Sequence, residues 1–114
     1  MAAATSTGGK GFEIPGRVSD SATAAGNYAN GFAGISCTGV VEDIVSGSVA
    51  SKIVTRVTDG MPISMATDKT LDEMKPYDGF AGIIGITADG KIYHADTHPY
   101  MVWALHDGDV EVFD

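Results

Sequence analysis

The sequence is short of cysteine, of positive charge and of long apolar runs, and each shortage closes off a class of protein. With one cysteine, Cys37, no internal disulfide can form, and a single thiol suits a reducing compartment such as the cytoplasm. Seven lysines and arginines stand against fifteen aspartates and glutamates, for a net charge of −8. Such a chain repels phosphate backbones and anionic lipid, which argues against a nucleic-acid or membrane partner. Apolar residues make up 44% of the 114, yet no run of them is long enough to span a bilayer. Nor is Met1 followed by the apolar core of a signal peptide.

What is plentiful is glycine, 15 residues of 114. Alongside so much apolar content it signals tight turns and close backbone packing, not disorder. The length allows one domain, residues 1–114, with a real core. Residues 2–6 read as a short edge strand or the stump of a longer one. Residues 8–30 carry loop punctuation: Gly8-Gly9, Pro15-Gly16, Gly26-Asn27 and Asn30-Gly31. A loop of that length in a compact domain is functional or disordered, and alanine-rich residues 22–29 hold a short helical turn.

Residues 32–37 read as a buried strand. The pentapeptide Gly31-Phe32-Ala33-Gly34-Ile35 recurs as Gly79-Phe80-Ala81-Gly82-Ile83, but the flanks differ, so two strands meet similar packing demands. Residues 39–59 form the clearest helix, with Val41, Val45, Val49, Ile53 and Val57 recurring every four positions. Glu42 and Asp43 suit its positive N-terminal end, and Lys52 and Arg56 its C-terminal one. A second helix over 64–74 stops before Pro76. Strands follow at 80–87 and 91–95, joined by Ala88-Asp89-Gly90, then at 101–105 and 110–113 about Asp107-Gly108. The order β–β–α–α–β–β–β–β predicts an α+β fold: a largely antiparallel sheet with two helices on one face.

The chemistry concentrates in three blocks: Thr5-Ser6-Thr7-Gly8-Gly9, Gly16-Arg17-Val18-Ser19-Asp20-Ser21 and Ser36-Cys37-Thr38-Gly39. In a loop, Arg17 and Asp20 suit the two ends of an amino acid, the guanidinium gripping a carboxylate and the carboxylate an ammonium. Thr38-Gly39 lies where a strand gives way to a helix, and backbone N–H groups at such a junction stabilise developing negative charge. Each block also has a plainer reading: a loop salt bridge for Arg17 and Asp20, an N-cap for Thr38, a turn hydroxyl for Thr7. His94, Asp96 and His98 alternate along a strand, as zinc ligands can. Pro99 ends that strand and no fourth ligand is evident, so a solvated strand end is favoured and no metal or cofactor is expected. Cys37, in an apolar strand, is read as packing, not as a nucleophile.

Taken in register, the three blocks resemble the isoaspartyl peptidase/plant-type L-asparaginase family of N-terminal-nucleophile hydrolases, over nearly the whole chain. The resemblance is to the small β subunit, which forms half of a four-layer αββα sandwich. It implies hydrolysis of the side-chain amide of L-asparagine and of β-aspartyl peptides by a threonine nucleophile. By the same resemblance, Thr7 supports that nucleophile, Arg17 holds the substrate α-carboxylate and Asp20 its α-ammonium, and Thr38 and Gly39 form the oxyanion hole. Many members have glycine and proline where Ser19 and Ala22 stand. The nucleophile belongs a full strand and hairpin upstream of Thr7, whereas six residues precede Thr7 here. The expectation is a β subunit without its nucleophilic threonine, inactive alone, whose partners are a small-molecule substrate, an α subunit and a second heterodimer. A reading of another class is a non-catalytic amino-acid-binding module or degenerate pseudoenzyme, separated from the first by the presence of an upstream segment.

Overall fold

The computed structural model describes residues 1–6, 11, 14–17, 19, 22–98, 101–108 and 110–113. In chain order they form β1 (Asn27–Ala29), β2 (Ala33–Gly39), α1 (Val41–Gly47), α2 (Val49–Thr58), α3 (Ile63–Asp72), a 3₁₀ turn (Lys75–Tyr77), β3 (Ala81–Thr87), β4 (Ile92–Asp96), β5 (Trp103–His106) and β6 (Val110–Phe113). Strands β1 to β4 make one antiparallel sheet in sequence order, and β5 and β6 pair as a separate hairpin. The α+β class and the antiparallel sheet follow the sequence reading.

Alternation along the strands decides which face is covered. Ala33, Ile35 and Cys37 of β2 and Ala81 and Ile83 of β3 are buried together with Ile44, Val49, Ala50, Ile53, Val54, Ile63, Ala66, Leu71 and Met74 of the helical layer. Each fully buried aliphatic side chain there contributes about 1.5–3 kcal/mol relative to exposure. Gly85 leaves room on this face for the Ile35 side chain, which would have to shift to admit a Cβ 2.4 Å from its Cδ1. The intervening residues point the other way, and Ile84, Ile86 and Ile92 are 46%, 40% and 42% exposed on what we call the open face.

The expected single helix over 39–59 is broken. Ser48 adopts left-handed φ 46, ψ 44 and ends α1. The break has a structural cause: the first N–H groups of α2 bond to the preceding loop, Ala50 to Ala25 O at 2.8 Å and Ser51 to Ala24 O at 3.0 Å. Those carbonyls cap α2 in place of a continuing helix. The re-aimed α1 buries Ile44 and leaves Val45 46% exposed, so the four-residue stripe is interrupted at that point.

Thr38 belongs to β2 and caps nothing; the residue before α1 is Val40, without a side-chain cap. The second helix runs Ile63–Asp72, and Pro76 sits in the 3₁₀ turn that follows. The helical turn expected over 22–29 is confined to residues 22–26, with Gly26 and Asn27 N–H bonded to Thr23 O at 3.1 and 3.2 Å, and it leads directly into β1. Asn30 then turns β1 into β2 by accepting from Phe32 N at 2.8 Å. Residues 2–6 are not a strand; this segment crosses the open face, where Ser36 Oγ donates to Ala4 O at 3.1 Å and contacts Thr5 Oγ1. Across the helical layer, Arg56 ties α2 to Glu73 at 2.5 Å and to Thr70 of α3 at 2.6 Å.

Candidate functional site

The end of β2 is the most constrained backbone of the sheet. Gly39 has φ +138, and a Cβ there would lie 2.4 Å from Phe80 O and 2.9 Å from Ala81 Cα. Only glycine fits, because the peptide of Phe80 lies flush against its Cα. Val40 N–H donates to Phe80 O at 3.1 Å. Antiparallel ladders alternate bonded and non-bonded pairs, so the adjacent Gly39↔Ala81 pair is non-bonded and turns the Gly39 N–H away from β3. On that side β1 pairs only as far as Ser36, and Cys37 N takes the last bond, to Gly26 O at 2.9 Å. The Gly39 amide therefore points past the start of β1, beside the loop that leads into that strand.

Thr38 is exposed on the open face and borders two cavities. One, of about 430 Å³, is also lined by Thr5, Ser36, Ile84, Met101 and Trp103. The other, of about 300 Å³, is lined by Thr38 with Phe80, Asp96, His98 and Met101. Gly82 makes room at this point, since a Cβ would meet Met101 Sδ at 2.4 Å and Thr38 Cγ2 at 3.3 Å. Gly39 is exposed but lines neither cavity, so of the two residues Thr38 alone borders them, and a hydroxyl with a neighbouring backbone N–H is the kind of donor set that stabilises an oxyanion.

A second group of residues supports this corner, in a role that the sequence did not show. Phe80 N–H donates to Asp43 Oδ2 at 2.8 Å. Ala81 N–H donates to Thr97 Oγ1 at 3.0 Å, and Thr97 N–H returns a bond to Ala81 O at 2.9 Å. His98 stacks on Phe80 with ring centroids 4.8 Å apart, its Nδ1 2.9 Å from Thr97 Oγ1 and its Nε2 3.5 Å from Asp78 Oδ1. Burial, and then the negative charge of Asp43, raise the phenol pKa of Tyr77. Asp43 and Phe80 are 37 residues apart, and no local pattern signals such a pair.

The other site residues expected from the sequence fare unevenly. Arg17 is exposed in the loop, its N–H bonded to Ile14 O at 3.0 Å, and it lines neither cavity beside Thr38. Thr7 and Asp20 lie outside the described residues. His94 stacks on Trp103 with centroids 3.7 Å apart while His98 turns to Phe80, so the two imidazoles have separate partners. Among the described residues no three His, Cys, Asp or Glu side chains group as metal ligands. No helix among them is long and apolar enough to cross a membrane. Cys37 is buried in the core, as expected of packing.

An antiparallel sheet helix-covered on one face, with an outward glycine amide and a threonine hydroxyl at its corner, has the make-up of one half of a layered α+β hydrolase. The comparisons with known proteins make the class particular. Residues 1–112 match the family described as asparaginase. The chain is 48% identical over 108 residues to an isoaspartyl peptidase/L-asparaginase of Synechocystis sp., covering 95% of this chain and 33% of the relative. It is 46% identical over 109 residues to a Nostoc sp. protein of the same name, covering 96% and 34%. It is 36% identical over 96 residues to the isoaspartyl peptidase of Escherichia coli, covering 81% and 30%. The chain belongs to the asparaginase family, and it spans about a third of the length of these curated relatives.

Proposed function

We propose that this chain supplies the substrate-binding and oxyanion-stabilising third of an enzyme that hydrolyses the side-chain amide of L-asparagine and the isopeptide bond of β-aspartyl peptides. The observation that carries the proposal is the Gly39 corner, where glycine alone fits at φ +138 and its amide and the Thr38 hydroxyl face out of the ladder. The names and identities of the relatives supply the reaction class.

In this reading a threonine hydroxyl from sequence outside these 114 residues attacks the amide carbon, and its proton passes to the leaving ammonia or amine. Thr38 and Gly39 donate to the oxygen as it becomes negative, and water then releases aspartate from the acyl-enzyme. Arg17 binds the α-carboxylate as a bidentate pair and Asp20 binds the α-ammonium, so the ground state is held apart from the reacting carbon. Thr7 orients the nucleophile. The open face of the sheet packs on the sheet of an α subunit, and two such heterodimers assemble. The enzyme works in the cytoplasm, where the buried Cys37 thiol stays reduced.

The test is a chimera in which the matching third of the Synechocystis relative is replaced by this chain. Ammonia release from asparagine and cleavage of β-aspartyl dipeptides are expected, with the unaltered relative as control. Arg17→Ala should raise KM by tenfold or more, because a charge-assisted bond to a carboxylate contributes about 1.5–3 kcal/mol. A folded chimera without turnover sinks the proposal, and an unchanged KM removes Arg17 from the site.

A further inference from the structure

We propose that Thr97 is a positioning residue for the oxyanion hole: it holds the two peptide groups that flank Ala81, and these bond the two that flank Gly39. The inference rests on the reading of Thr38 and Gly39 given above and adds to it a residue that lines neither cavity beside Thr38. A peptide group is a rigid plane, so anchoring its nitrogen fixes its carbonyl as well.

Two such planes meet at Ala81. The first carries the Phe80 carbonyl and the Ala81 N–H. Its N–H donates to Thr97 Oγ1 at 3.0 Å, and its carbonyl accepts the Val40 N–H at 3.1 Å. The second carries the Ala81 carbonyl and the Gly82 N–H. Its carbonyl accepts the Thr97 N–H at 2.9 Å, with Thr97 Oγ1 3.3 Å away. Its N–H faces Thr38, the residue that Gly82 opposes in β2. Because the adjacent Gly39↔Ala81 pair is non-bonded, Thr38↔Gly82 is a bonded pair, and the Gly82 N–H donates to the Thr38 carbonyl. That carbonyl shares its plane with the Gly39 N–H, the proposed donor to the oxyanion.

The hydroxyl is the exposed joint of this brace. The β3–β4 ladder ends at Gly82↔Asp96, so the next N–H, that of Ala81, bonds to a side chain instead of a strand carbonyl. Ala81 is buried, and without the hydroxyl its N–H is a buried donor with no acceptor, which the strand end relieves by moving. Ala81 Cα and the Phe80 carbonyl fill the space a Cβ would need at Gly39, so a shift of Ala81 reaches Gly39 directly. With no Cβ of its own, Gly39 does little to resist it. Oxyanion donors must sit about 2.7–3.1 Å from the developing charge, and misplacement by about 1 Å costs up to 100-fold.

Valine keeps the branched shape and backbone N–H of Thr97 and removes the hydroxyl, whereas serine keeps the hydroxyl. In the chimera, with rates expressed per folded enzyme, Thr97→Val should lower kcat about tenfold or more with KM unchanged, since only a transition-state interaction is lost. Thr97→Ser should keep most of kcat. Equal losses in Val and Ser, or a loss confined to KM, would overturn the proposal.

Amide hydrogen exchange of the 114-residue chain tests the same brace without turnover. In Thr97→Val the Gly82 and Val40 amides should exchange about tenfold or more faster, as a local opening does. The Thr87 amide at the other end of β3, bonded to Lys91 O at 2.9 Å, should keep its protection, and Thr97→Ser should keep all three. Gly82 protection that persists in the Val variant, or an equal loss at Thr87, overturns the positioning role whatever the enzyme does. If Val prevents folding, Ser decides: a folded Ser variant that keeps kcat and Gly82 protection upholds the proposal, and one that exchanges freely at Gly82 overturns it. A chimera inactive in every form sinks the proposed function, while exchange at Gly82 and Val40 still rules on the brace.

Discussion

Replacing Gly39 by alanine tests the corner on which the proposed function depends. Two costs can be separated. A residue with a Cβ at φ +138 occupies sparsely populated backbone space, at about 1–3 kcal/mol. The new methyl would also lie 2.4 Å from Phe80 O and 2.9 Å from Ala81 Cα. Both of those atoms are backbone in a paired strand, so neither can swing aside as a side-chain tip would. Overpacking of this kind adds about 1–3 kcal/mol. Together they predict a loss of about 2–6 kcal/mol, a large part of the ~5–15 kcal/mol typical of a domain.

Gly90 provides the control. It too has positive φ, +86, but nothing lies within 4 Å of a Cβ built there. Gly90→Ala therefore carries the conformational term alone. Thermal unfolding followed by circular dichroism, at one fixed protein concentration because association alters Tm, reads the difference. At about 4 °C per kcal/mol for a chain of this size, Gly39→Ala should melt some 4–12 °C below Gly90→Ala. Equal melting temperatures would refute the argument, for they would mean the Phe80 peptide does not press on Gly39.

Two further outcomes follow from packing and charge. The Arg56 hydrogen bond, the largest cause, holds the Glu73 carboxyl below its usual pKa, so its stabilisation is present above the ordinary carboxylate range and is lost as pH falls through the lowered value. Glu73 is 44% exposed, so Glu73→Gln should cost under about 1 kcal/mol in urea unfolding near neutral pH, and a gap that persists at about pH 2 would exclude the ion pair as its cause. The open face leaves Ile84, Ile86 and Ile92 each at least 40% exposed, and apolar patches of this kind draw partners. The chain expressed alone should therefore associate or bind a hydrophobic dye, and a monomer by light scattering that binds no dye and melts cooperatively would contradict this.

How much of this was legible beforehand depends on the range of the interaction that decides each feature. Strands β2, β3 and β4 and the Asp89-Gly90 hairpin are set by alternation and turn chemistry within a few residues, and they appear where the pattern puts them, whereas residues 2–6 form no strand and β1 arises in a stretch read as a helical turn. The break at Ser48 did not, because its cause lies in another segment: the carbonyls of Ala24 and Ala25 take the amides of Ala50 and Ser51. A periodic run of valines records which side is apolar, but not where a distant loop interrupts it. Thr38 and Gly39 were legible as a junction, yet the cap expected of Thr38 is absent because the strand runs through it to Gly39. Asp43 shows the limit most clearly. In the sequence it is one of two acids at a helix start, fully accounted for by the dipole. Its bond to Phe80 exists only because β3 returns beside β2, and a glycine between them lets one peptide lie against the next. The residues that would meet a substrate are thus marked by their chemistry, whereas those that brace the neighbouring strand are marked only by the fold.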